Sequence, residues 1–313
     1  MFAYNEEYQR DRRIAMLSIQ HISKEFGPVK ALNDVSFDVP NGQIMGLIGQ
    51  NGAGKSTTFH SILNFIDYGG SIQWQGHTLS ASDFDHIGYL PEERSLMTKL
   101  TIEQQIIYLA RLKGQPAKVI RPQIDDWLER FAVKGTRKSK INDLSKGNQQ
   151  KVQLICTLIH QPDLLILDEP FSGLDPVNAD LLKQAVLAAK DRGAAIIFSS
   201  HDMEHVTALC DQLVMLRKGD VVLHGTLDDV RDQFGKTELF VTTDWTAEQL
   251  QALAGVGSVT DRHNHRYVLH LTDASAGPAI FDALTQGHYI EEFSQQPPTL
   301  DEIFRLKVGE EHV

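Results

Sequence analysis

The sequence predicts an α/β protein: a parallel sheet built around an anion-binding loop, a helical insert, and a small ferredoxin-like α+β layer at the end of the chain. Three observations carry this. The apolar run Ile44 to Ile48 leads into GQNGAGKST, Gly49 to Thr57, and then into Phe59, Ile62, Leu63, Phe65 and Ile66 at helical spacing. A second apolar run, Leu164 to Leu167, ends in Asp168-Glu169-Pro170, as a buried parallel strand with carboxylates at its carboxyl end would. Beyond Gly235 the pattern becomes strand 238–243, helix 246–253, strands 257–262 and 266–271, helix 276–286 and strand 289–294, the β-α-β-β-α-β order of a ferredoxin-like layer.

Composition narrows the class. At 313 residues, 42% hydrophobic and 23% charged, the chain can bury one large core and one small one. No apolar run approaches the roughly 20 residues of a membrane span, and MFAYNEEYQRDRRIA lacks a signal peptide's apolar segment, so a cytoplasmic location is expected, with Met16 available as a second start. Cys156 and Cys210 are too few for a disulfide framework or a metal-ligand set. Net charge is −11, of which residues 237–313, with 12 acidic and 4 basic side chains, carry −8. Neither part has the basic footprint that binding a phosphate backbone demands, so no nucleic-acid partner is expected. An acidic chain is also repelled by anionic lipid, so membrane attachment should run through a protein.

In chain order, Leu17 to Ile22, Ala31 to Val39 and Gln43 to Ile48 read as strands broken by Gly27-Pro28 and Pro40-Asn41-Gly42. Phe26, after the first strand, offers a ring that could stack on a base, or pack in the core as strand-end aromatics do. In the loop, Gly49, Gly52 and Gly54 can adopt backbone angles that turn N–H groups inward around an anion, and the helix that follows adds its positive end. Lys55 can reach β- and γ-phosphates, and Ser56 offers a hydroxyl to Mg²⁺. A Gly-rich turn with a solvated lysine is the plain alternative.

SIQWQG and HIGYL are short strands, the second followed by PEERSL. Thr101 to Lys113, with Ile102, Ile106, Leu109 and Leu112 on a stripe, and Pro122 to Phe131 are the helices of the insert. Ser145, in Leu144-Ser145-Lys146-Gly147-Asn148, is a candidate N-cap whose hydroxyl and neighbouring N–H groups also suit an anion. At the end of Leu164 to Leu167, Asp168 suits a Mg²⁺ shell and Glu169 suits orienting or deprotonating a water, although acidic pairs also serve as turn residues. Asp175 lies in the turn SGLDP. His201, at the end of the strand Ala194 to Ser199, can point at the same crevice. His201 and His205 share helix spacing, but Asp202 stands where a metalloprotease helix needs Glu. Leu213 to Arg217 and Val221 to His224 should form a hairpin, and a last helix, Leu300 to Leu306, follows Pro297-Pro298.

Together these residues resemble the ATP-binding subunit of an ABC transporter across roughly residues 17–230: GQNGAGKST as Walker A, LLILDE as Walker B, LSKGN as signature, SGLDP as D-loop, His201 as switch histidine and Phe26 as the adenine-stacking ring. PEER, LSKGNQQK, DEPFSGLDPVN and PTLDEIF look more like ABC-2 type exporters, particularly the sodium-efflux-like branch. The resemblance implies a P-loop NTPase fold of ABC type: a tail over 1–15, an ATPase domain over 16–236 with its helical subdomain at about 92–150, and an accessory domain over 237–313. It implies ATP and Mg²⁺ as cofactors, with nucleotide contacts from Phe26, Gly49, Asn51, Gly52, Ala53, Gly54, Lys55, Ser56 and Thr57. Asn148 and Asp175 join the nucleotide contacts, and Ser145 and Gly147 would close the site from the other subunit of a homo- or heterodimer, with Ser56, Asp168 and Glu92 at the metal and Glu169 and His201 at the attacking water. The working partner implied is an integral membrane permease, which would hold the subunit at the inner face of the membrane. Two positions depart from the family: Lys146 and Asn148 stand where a glycine and a glutamine are usual, and Glu92 replaces the Q-loop glutamine. The rival reading is a soluble ABC ATPase of translation or repair, but the chain has one cassette and a short insert. A GTPase would need a guanine-reading motif, which is not found.

Overall fold

The computed structural model describes residues 15–93 and 95–309, so the tail expected over 1–15 lies, apart from Ala15, outside the described residues, as does Arg94 of PEER. The chain divides into two compact units, 1–224 and 225–313. Among the described residues no helix is long and apolar enough to cross a membrane.

The first unit holds two sheets. An antiparallel one runs Val29–Pro40, Ala15–Phe26, Gly69–Trp74, His77–Thr78. The other, in the order Asp220–Thr226, Gln212–Arg217, Ile44–Ile48, Ala195–Ser200, Leu164–Leu167, Ile87–Leu90, is parallel from its second strand to its sixth. Ile44–Ile48, Leu164–Leu167 and Ala195–Ser200 are buried at every position, which is why they read as unbroken apolar runs. Met45, Leu47, Ile166 and Ile197 on one face of this sheet join Leu17, Ile19, Val35 and Phe37 of the other, and Phe59 and Ile62 of the helix Lys55–Ile62, in a single core. The edge hairpin turns on Lys218 and Gly219, whose φ of 50° and 85° match the twist of a tight two-residue connection.

The insert is helical, as expected: Ile102–Leu112, Ala117–Ile120, Ile124–Arg130 and Lys146–Leu158, the last running past the anticipated limit at 150. Thr101 and Gln104 close a capping box on the first of these helices. Its buried stripe differs from the sequence reading, because Leu112 is 60% exposed while Gln105 is buried. The Gln105 amide oxygen accepts the Met97 N–H at 2.9 Å, so a polar residue occupies the inner face in exchange for satisfying a loop donor.

The second unit has strands in the order Val256–Asp261, Arg266–Leu271, Glu238–Thr242, Glu292–Gln296, every neighbouring pair antiparallel. Leu239, Val241, Leu250, Leu269 and Ile280 form its core, with helices Ala247–Gln251 and Gly277–Thr285 joining the strands in ferredoxin-like order. The helix Leu227–Asp232 groups with this unit, since Arg231 donates to the carbonyls of Pro298 and Pro297 at 3.1 and 3.3 Å. The division therefore falls between His224 and Gly225, whereas the sequence reading put it after Lys236.

Gly46, in the middle of the central strand, has no room for a methyl group: a Cβ there would lie 2.7 Å from Cys210 Sγ. Gly46→Ala should cost about 1–3 kcal/mol through overpacking, lowering Tm by several degrees in a thermal melt. Cys210→Ala in the same chain should recover part of that loss, as coupled neighbours do; simple additivity would refute the packing argument.

Candidate functional site

The loop after Ile44–Ile48 is bent by its own lysine. Lys55 Nζ donates to the carbonyls of Gly49 at 2.7 Å and Gln50 at 3.2 Å, and Gly219 N–H donates to Ala53 O at 3.0 Å. The bend needs glycine where the chain is tightest. A Cβ on Gly49 would stand 2.5 Å from Leu216 O, and one on Gly54, at φ 113°, 2.7 Å from Ala31 O. Gly54 is also the N-cap of Lys55–Ile62 and supplies no side-chain cap, so the first N–H groups of that helix are left for something outside it.

Asn51, Gly52, Gly54, Lys55, Ser56 and Thr57 line one recess, and Glu92, Asp168 and Glu169 face them across it. Ala31 lines it as well, which the sequence reading missed because the residue belongs to the antiparallel sheet. Gly49 and Ala53 shape the loop from behind; Ala53 is buried in the core. Phe26 ends its strand half exposed, 5.2 Å from Lys24 Nζ, and is not part of the lining.

The carboxylates are held by a residue that sequence reasoning overlooked. Ser199, fully buried, donates its hydroxyl to Asp168 Oδ1 at 2.7 Å and accepts the Glu169 N–H at 2.7 Å. Only the parallel pairing of Leu164–Leu167 with Ala195–Ser200 makes this meeting, and in the sequence Ser199 is one more strand-end serine. Glu169 sits at φ 45°, a strained angle for a residue with a side chain, which turns it off the strand end and into the recess. Its Oε2 lies 3.0 Å from His201 Nδ1 and its Oε1 3.7 Å from Lys55 Nζ, and Oε1 is buried without a hydrogen-bond partner among the described residues. His201 is itself mostly exposed. His205 is not its metal-sharing neighbour: it stacks on Phe171 with ring centroids 4.2 Å apart. Burial, with the Asp168 charge, pushes Tyr89 up to about 12, so the phenol beside the carboxylates stays neutral.

Ser145, Gly147, Asn148 and Asp175 are brought together elsewhere, in a recess that shares no residue with the first. Ser145 caps Lys146–Leu158 and also accepts Asn148 Nδ2 at 2.9 Å, while Asn148 Oδ1 accepts the Lys134 N–H at 2.8 Å. Asp175 caps Pro176–Asp191, accepting from Asn178 N at 2.9 Å. Lys146 is exposed. Ser145 and Asp175 thus each cap a helix, Asn148 is bound to Ser145 and to the Lys134 N–H, and together with Gly147 they line one recess.

An uncapped helix start, a buried lysine and a carboxylate oxygen without a donor fit a polyphosphate and its attacking water. Comparison with known proteins agrees. Residues 32–172 match the family described as ABC transporter, and residues 225–308 match the C-terminal domain of DrrA1-3-like ATP-binding proteins. An uncharacterised ABC transporter ATP-binding protein of Bacillus subtilis, YhaQ, is 43% identical over 94% of this chain and 99% of its own. The chain belongs to the ATP-binding subunits of ABC transporters. The linearmycin resistance ATP-binding protein LnrL of the same organism is 28% identical over 94% of this chain and 98% of its own. A solved ATP-binding subunit of an ABC transporter superposes with a TM-score of 0.67 at 34% identity, covering 70% of this chain and 93% of that one. The relatives bear transporter names, so the soluble translation or repair reading is not favoured.

In this ATP-binding subunit Ser199→Ala should leave both the Asp168 carboxylate and the Glu169 N–H short of a partner inside the protein. The expected cost is about 1–3 kcal/mol, measured as a lower unfolding midpoint, and a variant as stable as the parent would remove Ser199 from this role.

Proposed function

We propose that the chain hydrolyses ATP as one half of a subunit pair and that this work drives a membrane permease, in the export direction. The observation that carries the hydrolytic reading is Glu169: strained off its strand end, held by His201 at 3.0 Å, with its other oxygen bare in the recess that the phosphate loop lines. In this reading the loop N–H groups and Lys55 hold the β- and γ-phosphates, and Glu169 takes a proton from the water that attacks the γ-phosphorus. His201, through its bond to Glu169, keeps that carboxylate aimed.

Ser56 and Asp168 line the same recess, a hydroxyl and a carboxylate of the hard oxygen type that Mg²⁺ prefers, and Glu92 adds a third oxygen donor where the family usually has an amide. The ion would neutralise charge on the phosphates as it builds. Phe26, half exposed at the end of its strand and outside the recess lining, is assigned to stack on the base.

The capping cluster Ser145, Gly147, Asn148 and Asp175 is assigned to the nucleotide held by the other subunit. Its separation from the first recess supports this, since one chain then supplies two different halves of two sites. A permease would hold the pair at the inner face of the membrane. The motifs PEER, LSKGNQQK and PTLDEIF, the DrrA-like C-terminal domain and the likeness to a resistance protein support export, with the sodium-efflux-like branch as the finer placement. The acidic second unit takes no part in the chemistry and serves regulation or subunit contact, because a surface of net negative charge is a poor site for a triphosphate.

Glu169→Gln is expected to keep ATP affinity while lowering steady-state hydrolysis by about 10² to 10⁴. A variant that turns over at more than about a tenth of the parent rate would take the general-base role from Glu169. A chain ending after Thr226 should still bind ATP with the affinity of the full chain; its loss in a soluble, folded truncation would tie the second unit to the site. Purification of the tagged chain from membranes should bring a multi-span protein with it, and its repeated absence would count against the permease reading.

A further inference from the structure

The second unit contains a polar cluster that nucleotide chemistry does not use. Glu238 opens the strand Glu238–Thr242 and stands directly opposite His270 in the antiparallel register. Glu302 reaches the same place from the terminal helix Leu300–Gly309, so that one ligand atom from each of the three lies within 4.8 Å of the others. Glu238 is only 5% exposed, and its Oε2 has no hydrogen-bond partner among the described residues. A carboxylate oxygen buried in this way costs stability unless something positive meets it.

His270 is already oriented for that purpose. Its Nε2 lies 3.0 Å from Thr260 Oγ1, and its Nδ1 lies 2.8 Å from Glu238 Oε1. With Thr260 accepting from Nε2–H, Nδ1 presents its lone pair toward the two carboxylates, a donor set for a cation that would replace the hydrogen bond between Nδ1 and Glu238. This is how the outer partner of a metal-bound histidine fixes its tautomer.

We propose that Glu238, His270 and Glu302 bind a divalent transition-metal ion, with zinc as the best match, and that Thr260 orients the histidine. One imidazole nitrogen and two carboxylates suit zinc, cobalt or nickel, whereas magnesium and calcium prefer oxygen throughout. The three ligands come from two strands and the last helix, so the ion ties the end of the chain to the sheet and its binding raises the stability of this unit.

The test uses the full-length protein, stripped with a chelator and held in excess magnesium. Zinc is titrated calorimetrically, and cobalt is titrated by its visible absorption. One equivalent per chain is expected, with a higher melting temperature in zinc. Thr260→Val should weaken binding by about tenfold or more, and Glu238→Gln by more than that. Glu302→Gln keeps an amide able to serve the capping bond that Thr299 now gives to Glu302, so it should fold normally and still lose affinity. A far-ultraviolet circular dichroism spectrum and a metal-free melting profile matching the parent's report that the second unit of each variant is folded. No stoichiometric binding by the parent protein, or zinc affinity unaltered in Glu302→Gln, would overturn the proposal.

Discussion

Parallel pairing of three short strands is the constraint on which the site depends. Ile44–Ile48, Ala195–Ser200 and Leu164–Leu167 lie side by side in one direction, so everything that follows their carboxyl ends is delivered to one edge of the sheet. The phosphate loop, the Asp168-Glu169 pair and the Ser199-Ser200-His201 segment come from positions far apart in the chain, yet that ladder leaves them nowhere else to go. Burial of every residue in these strands makes the ladder costly to shift by even one position.

Within that edge the polar groups hold one another. Ser199 joins the Asp168 carboxylate to the Glu169 backbone, Lys55 ties the loop to its own start, and His201 reaches back to Glu169. Among the described residues, the start of the helix at Lys55 has no side-chain cap and one buried oxygen of Glu169 has no hydrogen-bond partner. Strain at Glu169 is tolerable because Ser199 and His201 both secure it.

The second unit solves a different problem with a different sheet. Its antiparallel order needs only short connections and buries Leu239, Val241 and Leu269 on one face. On the same strands Glu238 and His270 come together as a cross-strand pair.

The sequence by itself determined the elements whose signals are local. Continuous apolar runs announced the buried strands, and GQNGAGKST announced a strand-loop-helix. The change of pattern after Gly235 announced the ferredoxin-like layer, because period and turn residues are properties of neighbouring positions. Other features are decided by partners distant in the chain, and tertiary structure alone could show them. Ser199 matters because Leu167 lies beside Phe198; Ala31 matters because the antiparallel sheet brings it to the loop; Gln105 turns inward because Met97 needs an acceptor. The helix at Leu227 groups with the second unit because Arg231 finds Pro297 and Pro298, and Glu238 meets Glu302 only when the last helix is in place. A side chain's hydrogen-bond partner across the fold leaves no periodic trace in the sequence, and that is the physical reason these residues could not be read from it.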